Sequence, residues 1–151
     1  MQIGGQDVVV EIDECKLGKY KHHTGHEVNS AWVLGGVEKT IERRLFLIEV
    51  PDRTANILLS IISTHVLEGS TIITDCFKSY SNLNTLYNHL KVNHREKFRD
   101  PQSGACTNTI EGTWNVLKYM ISPRNRTNSL DENGEITEAI LDDFLAEFQW
   151  G

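Results

Sequence analysis

The hydrophobic pattern of the first fifty residues predicts three β-strands. Residues 8–15 begin with a β-branched run and then alternate between apolar and polar positions. Two further apolar runs cover residues 31–38 and 43–50, and the short polar link between them suits a hairpin. Gly35 and Gly36 interrupt the second run, which indicates either a bulge or a close approach of another part of the chain. We therefore expect an antiparallel meander.

Helical periodicity begins after the third strand. Apolar positions at helical spacing predict a helix over residues 55–67, and the run at 70–75 predicts a strand that ends on an acid. A strand that follows a helix in this way implies a parallel crossover. A short helix around residues 82–89 and a fifth strand at 91–94 complete the predicted sheet.

Two more helices follow a polar loop over residues 95–106. The first predicted helix covers residues 108–120, with Thr107 or Asn108 as its N-cap. The second covers residues 135–148 and is the most amphipathic segment of the chain. The order β-β-β-α-β-α-β-α-α predicts an α/β protein with a mixed five-stranded sheet, antiparallel then parallel, flanked by helices. This is the arrangement of the RNase H-like fold.

Charge is unevenly distributed along the 151 residues. Fifteen Lys and Arg against 21 Asp and Glu give a net charge of −6, which taken alone argues against a nucleic-acid partner. Residues 1–128 nevertheless carry +1, whereas residues 129–151 hold seven acids and no Lys or Arg. We expect a core over residues 1–128, and an acidic linker with an amphipathic helix over residues 129–151 that packs on the core or on a partner subunit.

Cysteine usage and the absence of long apolar runs indicate an intracellular protein. The three cysteines are an odd, widely spaced set, which fits a reducing compartment better than a disulfide framework. The first residues do not resemble a secretory signal, and no apolar run approaches the roughly 18 residues of a membrane span. We therefore expect no membrane partner.

Three acids occupy distinctive positions in this order of elements. Asp13 interrupts the apolar first strand, Asp75 ends the fourth strand, and Glu111 lies in the first turn of a late helix. Each could be an ordinary turn, cap or helix-dipole residue, but a buried carboxylate is costly unless it is paired or binds a cation. Carboxylate oxygens suit Mg²⁺ or Mn²⁺, and two such ions can drive an in-line displacement at phosphorus. Together the acids favour a two-metal centre.

Lys118 supports this interpretation. It follows Glu111 by two helical turns, so a cation that can hold a phosphate shares a helix face with the acid. The alternative is a solvated lysine on an exposed face.

Six segments of the sequence carry a family resemblance: VVEIDECKLGKYK, WVLGGVEK, GSTIITDCFKSY, VNH, TNTIEGTWNVLK and PRNRT. They resemble the catalytic domain of DDE-type transposases of the Merlin and ISXO-like insertion-sequence group. The resemblance spans about residues 8–128 and returns at DDFLAEFQW. TNTIEGTWNVLK is the most specific segment.

This resemblance implies an RNase H-like catalytic core that cleaves DNA strands and transfers them with two Mg²⁺ or Mn²⁺ ions. The catalytic acids would be Asp13, Asp75 and Glu111, and Lys118 the helix cation. Related groups resemble this pattern with an Asn near the third acid, so Asn108 either shares or takes that ligand role. Glu14 is expected to point to the opposite face of its strand, which makes it the weaker candidate for a ligand; the alternative is an exposed strand acid.

The implied partner is DNA, both transposon ends and target, bound by a homodimer or higher oligomer when active. The basic positions that flank the acids are candidate phosphate contacts, although such runs are also common on solvated surfaces. They are Lys91, His94, Arg95, Lys97, Arg99, Arg124 and Arg126. His22, His23 and His26 with Cys15 could suggest zinc, but a DNA-contacting or solvated loop fits them better.

Two departures from the pattern favour a second hypothesis. Similar proteins carry His where Cys106 stands, and the chain begins almost directly on the first catalytic strand. We therefore expect a missing or separate end-binding module, and keep as the alternative an inactive, truncated or domesticated protein that binds DNA or a partner. A resolvase-like nuclease is a third possibility. The location would be the nucleus of a eukaryote, or the cytoplasm and nucleoid of a bacterium.

Overall fold

A mixed β-sheet lies at the centre of the computed structural model, which describes residues 2–20, 27–93, 107–121, 129–130, 136–138 and 140–150. Two single turns of 3-10 helix, Lys78–Tyr80 and Leu83–Thr85, lie between the last two strands of this sheet in chain order. The elements in chain order are β1 (Ile3–Gly4), β2 (Val9–Tyr20), β3 (Glu27–Glu38), β4 (Leu45–Val50), α1 (Ala55–His65), β5 (Val66–Leu67), β6 (Thr71–Asp75), β7 (Asn88–Val92), α2 (Asn108–Met120), β8 (Ser129–Leu130), β9 (Ile136–Glu138) and α3 (Ile140–Trp150).

Five of these strands pair in the order β4-β3-β2-β6-β7. The pairs β2–β3 and β3–β4 are antiparallel, whereas β2–β6 and β6–β7 are parallel. The predicted mixed five-stranded sheet with flanking helices is therefore confirmed, and it agrees with the RNase H-like fold. Strands β2 and β3 are longer than their apolar runs indicated, because their pairing continues into polar sequence.

Both faces of this sheet are covered, which explains why its strands contain apolar runs. On one face, Leu58 and Ile62 of α1 are buried against side chains of the central strands. On the other face, α2 and α3 share a core in which Trp114, Leu141 and Leu145 are buried. The C-terminal helix thus packs on the sheet of its own chain. The division of the chain at residue 128 stays a prediction.

The segment between β6 and β7 differs from the prediction. In place of a helix over residues 82–89 there is a single 3-10 turn at Leu83–Thr85, preceded by another at Lys78–Tyr80, and the fifth strand begins three residues earlier than expected. Leu83 and Tyr87 are buried, and the Tyr87 hydroxyl donates to the Val66 carbonyl at 2.8 Å. This contact with the end of α1 holds the segment in an irregular path that its local sequence does not indicate.

The C-terminal helix also begins later than predicted. Residues Ile136–Glu138 pair as β9 with β8, inside the segment expected to be linker and helix start, and α3 begins at Ile140. Because Ile136 continues the helical spacing of the apolar residues, periodicity alone does not show that a strand pair replaces the first turn. Within the described ranges, no helix has the length and hydropathy needed to cross a membrane.

Candidate metal centre

Two acids from adjacent parallel strands lie side by side. Glu11 of β2 is paired with Ile73 of β6, so two residues further along, Asp13 and Asp75 reach the same level on the same face of the sheet. Together with Glu14 they form a group in which one carboxylate oxygen from each residue lies within 4.8 Å of the others. Among the residues that the structure describes, these three acids form the group whose carboxylate oxygens lie close enough together to share a cation.

The indole of Trp114 holds the Asp13 carboxylate from the α2 side. Its Nε1–H donates to Asp13 Oδ2 at 3.2 Å, and the ring is 5% exposed. Gly35 of β3 lies opposite Asp13 in the sheet, and a Cβ there would lie 2.6 Å from Cη2 of Trp114. The close approach expected at Gly35 is therefore confirmed, and the pairing of β3 shows no bulge at this position.

Replacement of Gly35 by alanine is expected to displace Trp114 from Asp13. A Cβ overlap of this size in a packed core costs about 1 to 3 kcal/mol, so thermal unfolding should shift down by several degrees. Gly112→Ala is the matched control, because a Cβ at that helical glycine meets nothing within 4 Å. The control should unfold at the wild-type temperature or slightly above it. Equal unfolding temperatures for Gly35→Ala and wild type would contradict the packing described.

Burial raises the pKa of Asp13 from 3.8 to about 7, and the negative charges of Glu14 and Asp75 add to this shift. Hydrogen bonds from the Glu14 backbone and from Trp114 act in the opposite direction. Asp75 is oriented by the backbone N–H of Phe77, which donates to its Oδ1 at 2.9 Å. Three close, partly buried carboxylates repel one another unless a proton or a cation lies among them. Their oxygen donors fit a divalent cation such as Mg²⁺ or Mn²⁺.

Glu14 is held on the side of the sheet that α1 covers. The Tyr80 hydroxyl donates to its Oε2, and Arg53 Nη1 lies 3.3 Å from its Oε1. Burial, followed by the charge of Glu14, raises the pKa of Tyr80, so the phenol stays protonated and can donate. The Glu14 side chain is only 7% exposed, so the alternative of an exposed strand acid is wrong. Both of its oxygens already have partners.

Glu11 is a further acid of β2 that sequence reasoning missed. It is fully buried, and its Oε1 accepts the backbone N–H groups of Thr109 at 2.9 Å and Ile110 at 3.2 Å. A carboxylate from a neighbouring strand thus caps the first turn of α2, where the helix dipole favours negative charge. Thr107 is the N-cap residue, but its side chain makes no capping bond, contrary to expectation. The sequence did contain a signal for this role of Glu11, because Glu11 interrupts the apolar strand just as Asp13 does.

Helix α2 places the remaining predicted residues on the Asp13 side of the sheet. Glu111 is partly buried and follows Ile110 directly, but it does not belong to the described group of acids within 4.8 Å. Lys118 is exposed further along the helix. Asn108 is also exposed, and it lines a groove against the β3–β4 hairpin. The structure therefore brings Asp13 and Asp75 together, with Glu111 on the adjacent helix.

Most of the basic residues expected to contact DNA lie outside the described residues. Lys91 is exposed on β7, which is an edge strand of the described sheet. Cys15, the cysteine of the suggested zinc cluster, is buried in the core beneath α2. The positions outside the described ranges are His22, His23, His26, His94, Arg95, Lys97, Arg99, Cys106, Arg124 and Arg126.

Sheet order, flanking helices and paired acids on adjacent central strands define a protein of the RNase H-like class. Comparison with known families agrees with this class. The family described as the ISXO2-like transposase domain matches residues 3–150, and the chain belongs to this family of DDE transposases. No curated protein matches the sequence.

Proposed function

We propose that this chain is the catalytic core of a transposase that cleaves DNA strands and joins the cleaved ends to target DNA through new phosphodiester bonds. The observation that carries the proposal is the juxtaposition of Asp13 and Asp75 in one group of carboxylates. Its support is chemical: oxygen donors from two strands, partly buried and mutually repulsive, are the ligands that a divalent cation needs. Membership of a transposase family supplies DNA as the substrate class.

Asp13, Asp75 and Glu111 are the residues that we expect to hold two Mg²⁺ or Mn²⁺ ions. When bound, such ions activate the attacking oxygen and stabilise the leaving oxygen of a phosphodiester. We prefer Glu111 to Glu14 as the third acid because both oxygens of Glu14 have partners on the opposite side of the sheet. Asn108 is the alternative ligand, although it faces the hairpin.

Other residues of the chain position these acids. Trp114 fixes one oxygen of Asp13, and the N–H of Phe77 fixes one oxygen of Asp75. Glu11 binds the first turn of α2 and so sets the height of Glu111 above the sheet. Lys118, two turns after Glu111, supplies a cation for a substrate phosphate.

The wider assignment is part of the same proposal. It includes membership of the Merlin group, contact of the flanking basic residues with transposon ends and target, and a homodimer or higher oligomer as the active form. DNA phosphates neutralised by Lys and Arg would give a binding affinity that falls steeply with salt.

Nicking of supercoiled plasmid by the purified chain tests the function. We expect nicked circles with Mn²⁺ or Mg²⁺, none with EDTA, and joined products when a pre-cleaved end is supplied. Cleavage of branched DNA without any joining would favour a resolvase-like nuclease instead. A folded protein that neither nicks DNA nor binds Mn²⁺ in calorimetry would contradict the proposal and favour the inactive, DNA- or partner-binding alternative.

A further inference from the structure

A groove of about 670 Å³ separates the β3–β4 hairpin from the first turns of α2. We refer to it as the hairpin groove. It is open along its length, and it lies on the same helix that carries Glu111. Its lining includes Glu38, Lys39, Ile41 and Arg43 of the hairpin, and Asn108 and Gly112 of α2.

The exposed charge in the hairpin groove is positive. Lys39 and Arg43 are exposed, and Ile41 between them is 99% exposed at the tip of the hairpin. The acid in the wall, Glu38, is 5% exposed and accepts hydrogen bonds from the Gly4 N–H at 2.7 Å and the Thr40 hydroxyl at 3.2 Å. The Glu38 carboxylate is therefore buried and held by the chain, whereas the two cations of the groove lining are exposed.

Gly112 is a glycine that the described structure does not require. A glycine within a helix is less favourable than an alanine at the same position. Its backbone is not in the left-handed region, and a Cβ added there would meet nothing within 4 Å. Neither conformation nor packing among the described residues explains it. A missing side chain does permit the close approach of a ligand, and Gly112 lines the groove beside Glu111.

We propose that the hairpin groove binds the sugar-phosphate backbone of the DNA strand on which the metal centre acts. The inference rests on the proposed function, since that function supplies the polyanion. Glu38 in the groove wall is paired with Val10 of β2. Val10 precedes Asp13 by three residues, so the two positions lie roughly 10 Å apart along the strand. About three nucleotides span this distance at roughly 3.4 Å per step. One strand therefore reaches both the cations and the acids.

Salt dependence of DNA binding tests the cations of the hairpin groove. Fluorescence anisotropy is measured in EDTA, so that no cleavage occurs, with a labelled duplex of about 30 base pairs over a range of NaCl concentrations. The double variant Lys39→Gln/Arg43→Gln should bind at least about tenfold more weakly at low salt, and its salt slope should fall by about 1.8. Arg44→Gln is the matched control, because Arg44 is exposed on the same hairpin but does not line the groove.

The control should retain nearly the wild-type slope. The assignment of the groove would be overturned if the double variant kept the wild-type salt slope. It would also be overturned if Arg44→Gln lowered the salt slope by as much per residue as the double variant does. Circular dichroism and thermal unfolding check that each variant is folded. Wild-type protein that binds DNA through the groove but does not cut it with metal would contradict only the proposed function. A wild type that binds no DNA would contradict both.

Gly112 provides an independent test that leaves every charge in place. Gly112→Leu should narrow the groove and weaken DNA binding by about tenfold, because Gly112 lines the groove and a Cβ at this position meets nothing within 4 Å. Its unfolding temperature should stay at or above that of wild type, since leucine is a better helix former. Unchanged DNA affinity in a folded Gly112→Leu protein would contradict the proposal.

Discussion

Asp13→Asn is expected to abolish metal-dependent nicking while making the metal-free protein more stable. Removing one charged ligand should lower the nicking rate at least about a thousandfold, since the metal contributes several kcal/mol to catalysis. The same change removes a buried charge that Glu14 and Asp75 repel, which should raise the free energy of unfolding by about 4 kcal/mol at pH 8. Asparagine can still accept the Trp114 N–H through its side-chain oxygen. Nicking assays and thermal unfolding in EDTA measure the two effects.

The pH dependence of this stability difference has a definite sign. The pKa of Asp13 is raised by burial to about 7 in the folded state, so the folded protein binds more protons than the unfolded chain between roughly pH 4 and 7. Wild-type stability should therefore fall, relative to Asp13→Asn, as the pH rises through this window. Burial lowers the pKa of His89 to about 4, which acts in the opposite direction. Because His89 is present in both proteins, their difference isolates Asp13; a pH-independent difference would contradict this origin.

Glu111→Gln and Glu14→Gln are expected to have opposite effects. Glu111→Gln should lower nicking at least about a hundredfold with little change in unfolding temperature, because Glu111 is proposed to act on the metal from a partly exposed position. Glu14→Gln should instead cost about 1 to 3 kcal/mol of stability, because it weakens a buried, charge-assisted contact. Its nicking rate should stay within about tenfold of wild type. The reverse pattern would make Glu14 the third ligand.

A double-mutant cycle tests whether Glu14 is an anchor. Tyr80→Phe removes the hydroxyl that donates to Glu14 and leaves the ring in the core. If the two residues stabilise the fold through one contact, the effects of Tyr80→Phe and Glu14→Gln on the free energy of unfolding should be less than additive. Strict additivity would show that they act independently.

The sheet could be predicted because its strands carry their own signals. Apolar runs bounded by polar links gave β2, β3 and β4, and the crossover after α1 gave the parallel pair that brings Asp13 and Asp75 together. Elements that depend on distant contacts could not be predicted. The turn around Tyr87 bonds to the end of α1, and β9 pairs with β8 where periodicity favours a helix.

The contacts that hold the acids in place could not be predicted from the sequence either. Glu14 contacts Arg53 and Tyr80, which are 39 and 66 residues away and lie in irregular segments without periodicity. Gly35 signalled a close approach, but nothing in the sequence indicated that the approaching group is Trp114. Such pairings follow from tertiary packing, which a pattern along one chain does not contain.

The most direct test of the metal centre is a crystal structure of the protein soaked in Mn²⁺, with the ions located by anomalous scattering. We predict a peak between Asp13 and Asp75, with a carboxylate oxygen of each at about 2.2 Å and Glu111 turned toward the same site. An Asp13→Asn crystal soaked in the same way should show a weaker peak or none. A wild-type crystal with no manganese at Asp13 and Asp75 would contradict the account.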